Sequence, residues 1–183
     1  MQKIFLVILS FILINSSYSQ TPYQRVYASL TKCQNSACHS ATATDGSEVL
    51  KFDGGQSAVY TALFGKNASN PSSVAKHEKL VKQQHPYFSF LLRKIAGAGF
   101  DTDLAIDTAT EGTVMKDTSG NVLSKKEIEF IRQWITFGAK QNYGGSEPQP
   151  NWQLVNDFYD SLDVTGVNHF LPKPPKPAAG TGM

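Results

Sequence analysis

The chain has 183 residues, 40% of them hydrophobic and 17% charged, with 17 Lys+Arg against 15 Asp+Glu and only two cysteines. Such a near-balance of charge excludes the cationic surplus with which nucleic-acid binders displace counterions, and the partners it implies are proteins or small molecules. The length allows one domain with a core of its own and an appendage, not two full domains.

In chain order, Lys3 precedes an apolar run, Ile4 to Ile14, that is too short to span a bilayer, and Ser17 and Ser19 supply a small-x-small cleavage pattern. Residues 1–19 are therefore expected to be a cleaved signal peptide. The mature protein then starts at Gln20, is exported to the periplasm or secreted, and has no stable membrane insertion. Lys3 is the only charge in that leader, so the mature chain keeps 16 Lys+Arg against 15 Asp+Glu.

Thr21 and Pro22 read as the N-cap and first position of a short helix whose Val26 and Leu30 lead into Cys33. Residues 41–55 are small, polar and glycine-punctuated, which predicts a loop with room for one extended segment. Val59, Leu63 and Phe64 then share one helical face until "GKNASNPSS" breaks the pattern, and residues 74–84 read as a basic surface with only Leu80 and Val81 to bury. Lys76, Lys79 and Lys82 make a modest basic patch there.

From Pro86 onward, Phe88, Leu91, Leu92 and Ile95 carry the spacing of a core-facing helix, which Gly97 and Gly99 end. Residues 101–123 have no sustained period and predict a long loop containing Met115. Ser124 and Glu127 form a capping box, and Ile128, Ile131, Trp134 and Ile135 repeat on one face up to Gly138. Trp134 is expected to pack near Tyr27 and Leu30 of the first helix. A last helix places Trp152, Val155, Tyr159 and Leu162 together, and "LPKPPKPAAGTGM" is a proline-rich strip with nothing to build a core. The fold class expected is all-α: a small helical domain with long loops over 20–142, a helical appendage over 143–171, and a proline-rich tail or linker over 172–183.

The chemistry concentrates in "CQNSACH", residues 33 to 39. In an oxidising compartment a disulfide between Cys33 and Cys38 is the simplest use of two thiols, in a stapled binding domain without a cofactor, but it leaves His39 without a task. A structural zinc wants four ligands, and the second half would have to come from His77, His85 or His169. A covalent haem uses the set as it stands: two thiols add across the porphyrin vinyl groups and the histidine after the second faces the iron. The common spacing is Cys-x2-Cys-His, and here it is Cys-x4-Cys-His. Thiols five residues apart on a regular helix point about 140° apart, so Gln34 to Ala37 must bulge out of any helix.

Beyond the cysteines, residues 22 to 140 resemble a monohaem class I cytochrome c. "VYASLTKCQNSACHS" is similar to that family's first helix and attachment site, and "SFLLRKIAG" to its middle helix. "GTVMKDTSGNVLSKKEIEFIRQWITFGA" is similar to its methionine loop and C-terminal helix, although Lys116 stands where the family usually has proline. The chain is most similar to cytochrome c-like domains of large exported bacterial proteins. The resemblance implies one haem c per chain, with Cys33 and Cys38 as attachment points, His39 as proximal and Met115 as distal iron ligand. His77 and His85 are rivals to Met115, and Arg93 and Lys94 are candidate partners of the haem propionates.

With both axial positions filled, such a protein carries single electrons between redox partner proteins and is not itself a catalyst. Without Met115 on the iron, the open position suits a sensor or peroxidase. The end of the chain is similar to the linker that joins cytochrome domains to copper monooxygenase-like domains in related exported proteins, so a haem module of a larger protein is the alternative; a separate docking partner for the tail is another.

Overall fold

The computed structural model describes residues 20–34, 39, 50–68, 78–97 and 99–165, with side chains up to residue 160. The expected leader, Cys38, Lys76, His77, His169 and the proline-rich tail lie outside the described residues. Five α-helices occur among the described residues: α1 (Pro22–Thr31), α2 (Gln56–Gly65), α3 (Phe90–Ala96), α4 (Lys125–Thr136) and α5 (Trp152–Thr165). Single 3-10 turns at Pro86–Phe88 and Thr102–Leu104 flank α3. No strand occurs among the described residues; Lys79 makes isolated bridges to Asn67 and Ser89. The all-α expectation is met.

Two of these helices start on reciprocal caps. The Thr21 hydroxyl accepts from the Gln24 amide at 3.2 Å while the Gln24 side chain takes the Thr21 amide at 2.8 Å. Ser124 and Glu127 make the same exchange at the start of α4. Each box satisfies two amides that a helix start leaves open, at about 1 kcal/mol per capping side chain. The helix expected from Pro86 is split in two, because the Ser89 side chain accepts from the Lys82 amide and donates to the His85 carbonyl.

Helix α4 is the hub, packed by α1, α3 and α5. Its periodic face, Ile128, Ile131, Trp134 and Ile135, is fully buried. Trp134 lies 5.7 Å from Tyr23 and 6.1 Å from Phe64, ring centre to ring centre, so its aromatic partner on α1 is Tyr23, one turn before Tyr27. Its indole N–H donates to the Lys140 carbonyl at 2.8 Å. The opposite face is buried as well, because α5 covers it: Trp152 meets Phe130 edge-on at 5.5 Å and takes the Arg25 guanidinium over its ring at 4.2 Å. Glu129 and Arg132, which look solvated in sequence, pair with each other beneath that layer at 2.7 Å.

Lys32, just past α1, bonds Glu127 at 2.7 Å and fastens α1 to the start of α4. Burial alone raises the Glu127 carboxyl, but the bonds from Lys32, Ser124 and Ser29 outweigh it and hold the group below its ordinary value near 4.5. A carboxyl depressed by folding stabilises the fold above its unfolded value, and that stability is lost as pH falls through the folded value. The unfolding free energy of the wild type relative to Glu127→Gln is therefore expected to shrink as the pH is taken from neutral to about 3. Urea titrations across that range measure it, and a constant difference contradicts the Glu127 assignment.

Candidate functional site

Helix α1 stops at Thr31, and the chain then winds through tight turns, with Lys32, Cys33 and Gln34 donating to Ser29, Leu30 and Thr31 carbonyls. Cys33 therefore sits beyond regular helix, as the wide cysteine spacing requires, and its side chain is fully buried in the core. Cys38 lies outside the described residues, so only one of the two thiols is placed.

His39 is half-buried and held three ways by residues 50–52. Its Nδ1 lies 2.7 Å from the Leu50 carbonyl, its own carbonyl accepts from the Phe52 amide at 2.9 Å, and its ring lies 4.7 Å from the Phe52 ring. A carbonyl accepts only, so Nδ1 carries a proton, and in the neutral ring the lone pair is then on Nε2, the tautomer that binds a metal through Nε2. Phe52 is itself buried and its carbonyl accepts from the Tyr27 hydroxyl at 3.3 Å, which ties the cradle back to α1.

Met115 is buried in the same core as Cys33 and Phe52. The loop around it is strapped at both ends. On one side the Met115 amide donates to the Lys94 carbonyl at 2.7 Å. On the other, the Thr118 amide donates to the Lys32 carbonyl at 3.0 Å, one residue from Cys33. The methionine thus lies on a stretch spanning from α3 to the cysteine-bearing end of α1.

Arg93 is buried, with partners the sequence did not suggest. Nη1 donates to Glu78, and Nη2 donates to Glu111 at 2.5 Å and to the Ala105 carbonyl at 3.1 Å. The guanidinium thereby clamps the loop to the segment before α3. The second Glu111 contact is the Asp107 amide at 3.0 Å. The other Glu78 oxygen, Oε2, is buried without a hydrogen-bond partner among the described residues. His85 is exposed, its ring 6.2 Å from Phe88 at the start of a 3-10 turn, remote from the role of a core ligand. Lys79 bonds Asn67 at 2.6 Å and Lys82 covers the Phe88 ring at 5.0 Å, so two of the three patch lysines have local tasks.

Sequence reasoning missed Leu50, Phe52, Glu78 and Glu111. The first two leave a signal, two large apolar residues alternating in a glycine-rich stretch. Glu78 and Glu111 leave none, because a lone acid among polar neighbours looks solvated until its partner folds against it. No group of three or more histidines, cysteines or acids able to hold a metal ion occurs among the described residues. That does not bear on a haem, whose porphyrin supplies the other ligands; the donor set of thiol, oriented imidazole and buried thioether fits one. No helix among the described residues is long and apolar enough to cross a membrane.

No family model matches the chain, and no curated protein or solved structure matches it.

The two clamp acids are unequal. Glu111 binds a guanidinium and an amide, whereas one Glu78 oxygen has no hydrogen-bond partner among the described residues. Glu111→Ala is expected to lower stability by about 3–5 kcal/mol, the usual consequence of removing one member of a buried pair, and Glu78→Gln by clearly less. Chemical denaturation measures both, and equal losses contradict this division.

Proposed function

We propose that this protein is an exported c-type cytochrome: a cytochrome c-like helical domain with one haem attached through Cys33 and Cys38, His39 and Met115 as axial ligands, passing single electrons between redox partner proteins. The observation that carries the reading is the His39 ring fixed by its Nδ1 on the Leu50 carbonyl at 2.7 Å, which leaves Nε2 as the metal-binding nitrogen. The Cys-x4-Cys-His motif and a buried methionine strapped to both α3 and the residue before Cys33 support it.

When bound, the haem supplies an iron that gains and loses one electron. The chain's own residues do the rest. The Leu50 carbonyl draws on the Nδ1 proton and makes Nε2 a stronger donor. The Met115 thioether is a soft ligand that favours the reduced metal and raises the potential. Phe52 and the surrounding apolar core exclude water. With both axial positions taken by the protein, the role is carriage and not catalysis. The compartment is the periplasm or the exterior, and the proline-rich tail is an extended linker or docking strip.

The full chain recovered from an exporting host is expected to exceed its polypeptide mass by one haem and to show a low-spin haem c spectrum that survives acid extraction. A colourless chain with Cys33 and Cys38 joined to each other rejects the proposal. A high-spin spectrum assigns the open-site sensor or peroxidase instead. In Met115→Ala the methionine-to-iron charge-transfer feature is expected to disappear and the potential to fall, while unchanged spectra remove Met115 from the iron.

A further inference from the structure

Several fastenings of the loop ahead of Met115 trace to two consecutive residues of α3. Arg93 binds the Ala105 carbonyl and the Glu111 carboxylate. Lys94 donates from Nζ to the carbonyls of Glu111, at 3.2 Å, and Thr113, and its own carbonyl takes the Met115 amide at 2.7 Å. Two glycines make the approach close enough. Gly97 ends α3 at φ +61°, and a Cβ there would stand 2.7 Å from a Val114 methyl. Gly112, at φ +76°, brings the loop under the Lys94 ammonium, 3.5 Å from where its Cβ would be. The contacts form a ladder along the chain: residues 105, 111, 113, 114 and 115 each meet α3 or the glycine that caps it.

A ladder that ends on the amide of the methionine itself sets where that side chain starts. We propose that Arg93 and Lys94 are positioning residues for Met115, which fix the reach of its sulfur toward the iron and through it the potential; this rests on Met115 being the distal ligand. Arg93 anchors the far end of the loop against Glu78 and Glu111. Lys94 takes up the last turn, where its ammonium tethers two carbonyls and its carbonyl tethers the methionine. Neither residue touches the cofactor in this account. Their effect on the metal is indirect: loosening the ladder lengthens or breaks the methionine-to-iron bond, while the histidine side, held by Leu50 and Phe52, is untouched.

The test uses the full exported chain with its haem attached, and Lys94→Met as the variant, because it keeps the aliphatic stem and leaves the buried Arg93 clamp in place. Three readouts are taken: the methionine-to-iron charge-transfer feature, the midpoint potential, and the hydrogen-exchange rate of the Met115 amide. The expected result is a weakened feature, a lower potential and exchange at least about tenfold faster, with the global unfolding transition near that of the wild type. A merely structural role for Lys94 moves the unfolding transition and leaves feature and potential alone. Should Lys94→Met fail to accumulate, Gly97→Ala displaces Val114 and is expected to move the same three readouts the same way. Feature, potential and exchange all at wild-type values in the folded variant overturn the proposal. Met115→Ala separates the two levels: if it leaves the spectrum unchanged, the distal assignment falls and this inference with it. If it removes the feature while the Lys94 or Gly97 variant keeps it, only the positioning role falls.

Discussion

A guanidinium buried between two carboxyl groups holds the loop that follows α3 against that helix, the shortest α-helix among the described residues. Arg93, Glu78 and Glu111 are each more than nine-tenths buried, and a buried charge survives only where partners replace the water it gives up. Because Glu78 belongs to the segment before α3 and Glu111 to the loop after it, the cluster forms only when both have folded onto Arg93. The loop contains one 3-10 turn and little other regular structure, so without that fastening its conformational entropy would favour many arrangements over one. The fixed position of Met115 depends on it.

The histidine end of the site is built on a different principle. There residues 50–52 do with backbone groups what the clamp does with charges: a carbonyl, an amide and an aromatic face meet one residue. Neutral hydrogen bonds to main chain are short-range and directional, and they fix ring orientation as well as position. The two ends of the site are therefore held by different forces, one by buried charges and the other by main-chain groups of residues 50–52.

Much of the helical framework was legible in the sequence because apolar periodicity and capping residues act locally. Thr21, Ser124 and Glu127 mark helix starts by their own hydroxyl and carboxylate chemistry, and the faces built on Val26, Val59, Leu91 and Ile128 are buried as their spacing suggests. What was not legible depends on contacts between distant segments. The helix written continuously from Pro86 is interrupted because Ser89 prefers the backbone of Lys82 and His85. Glu129 and Arg132 are buried because α5 arrives over them, and no property of α4 alone announces that. At the candidate site, the motif made Cys33 and His39 visible, and Met115 is buried in the core. Arg93 was noticed for its charge and its partners were not, since an ion pair is a property of two segments and a sequence displays them one at a time.

The bond from the Thr118 amide to the Lys32 carbonyl joins positions that have most of the middle of the chain between them. Contacts of such long sequence separation close late, after the intervening helices have formed and shortened the loop that must be closed. The turn bearing Cys33 needs only neighbouring residues and can be in place well before. In the proposed centre the two sides accordingly differ in what they need: the turn at Cys33 draws only on neighbouring residues, whereas the stretch bearing Met115 is placed by a contact that closes a loop of more than eighty residues.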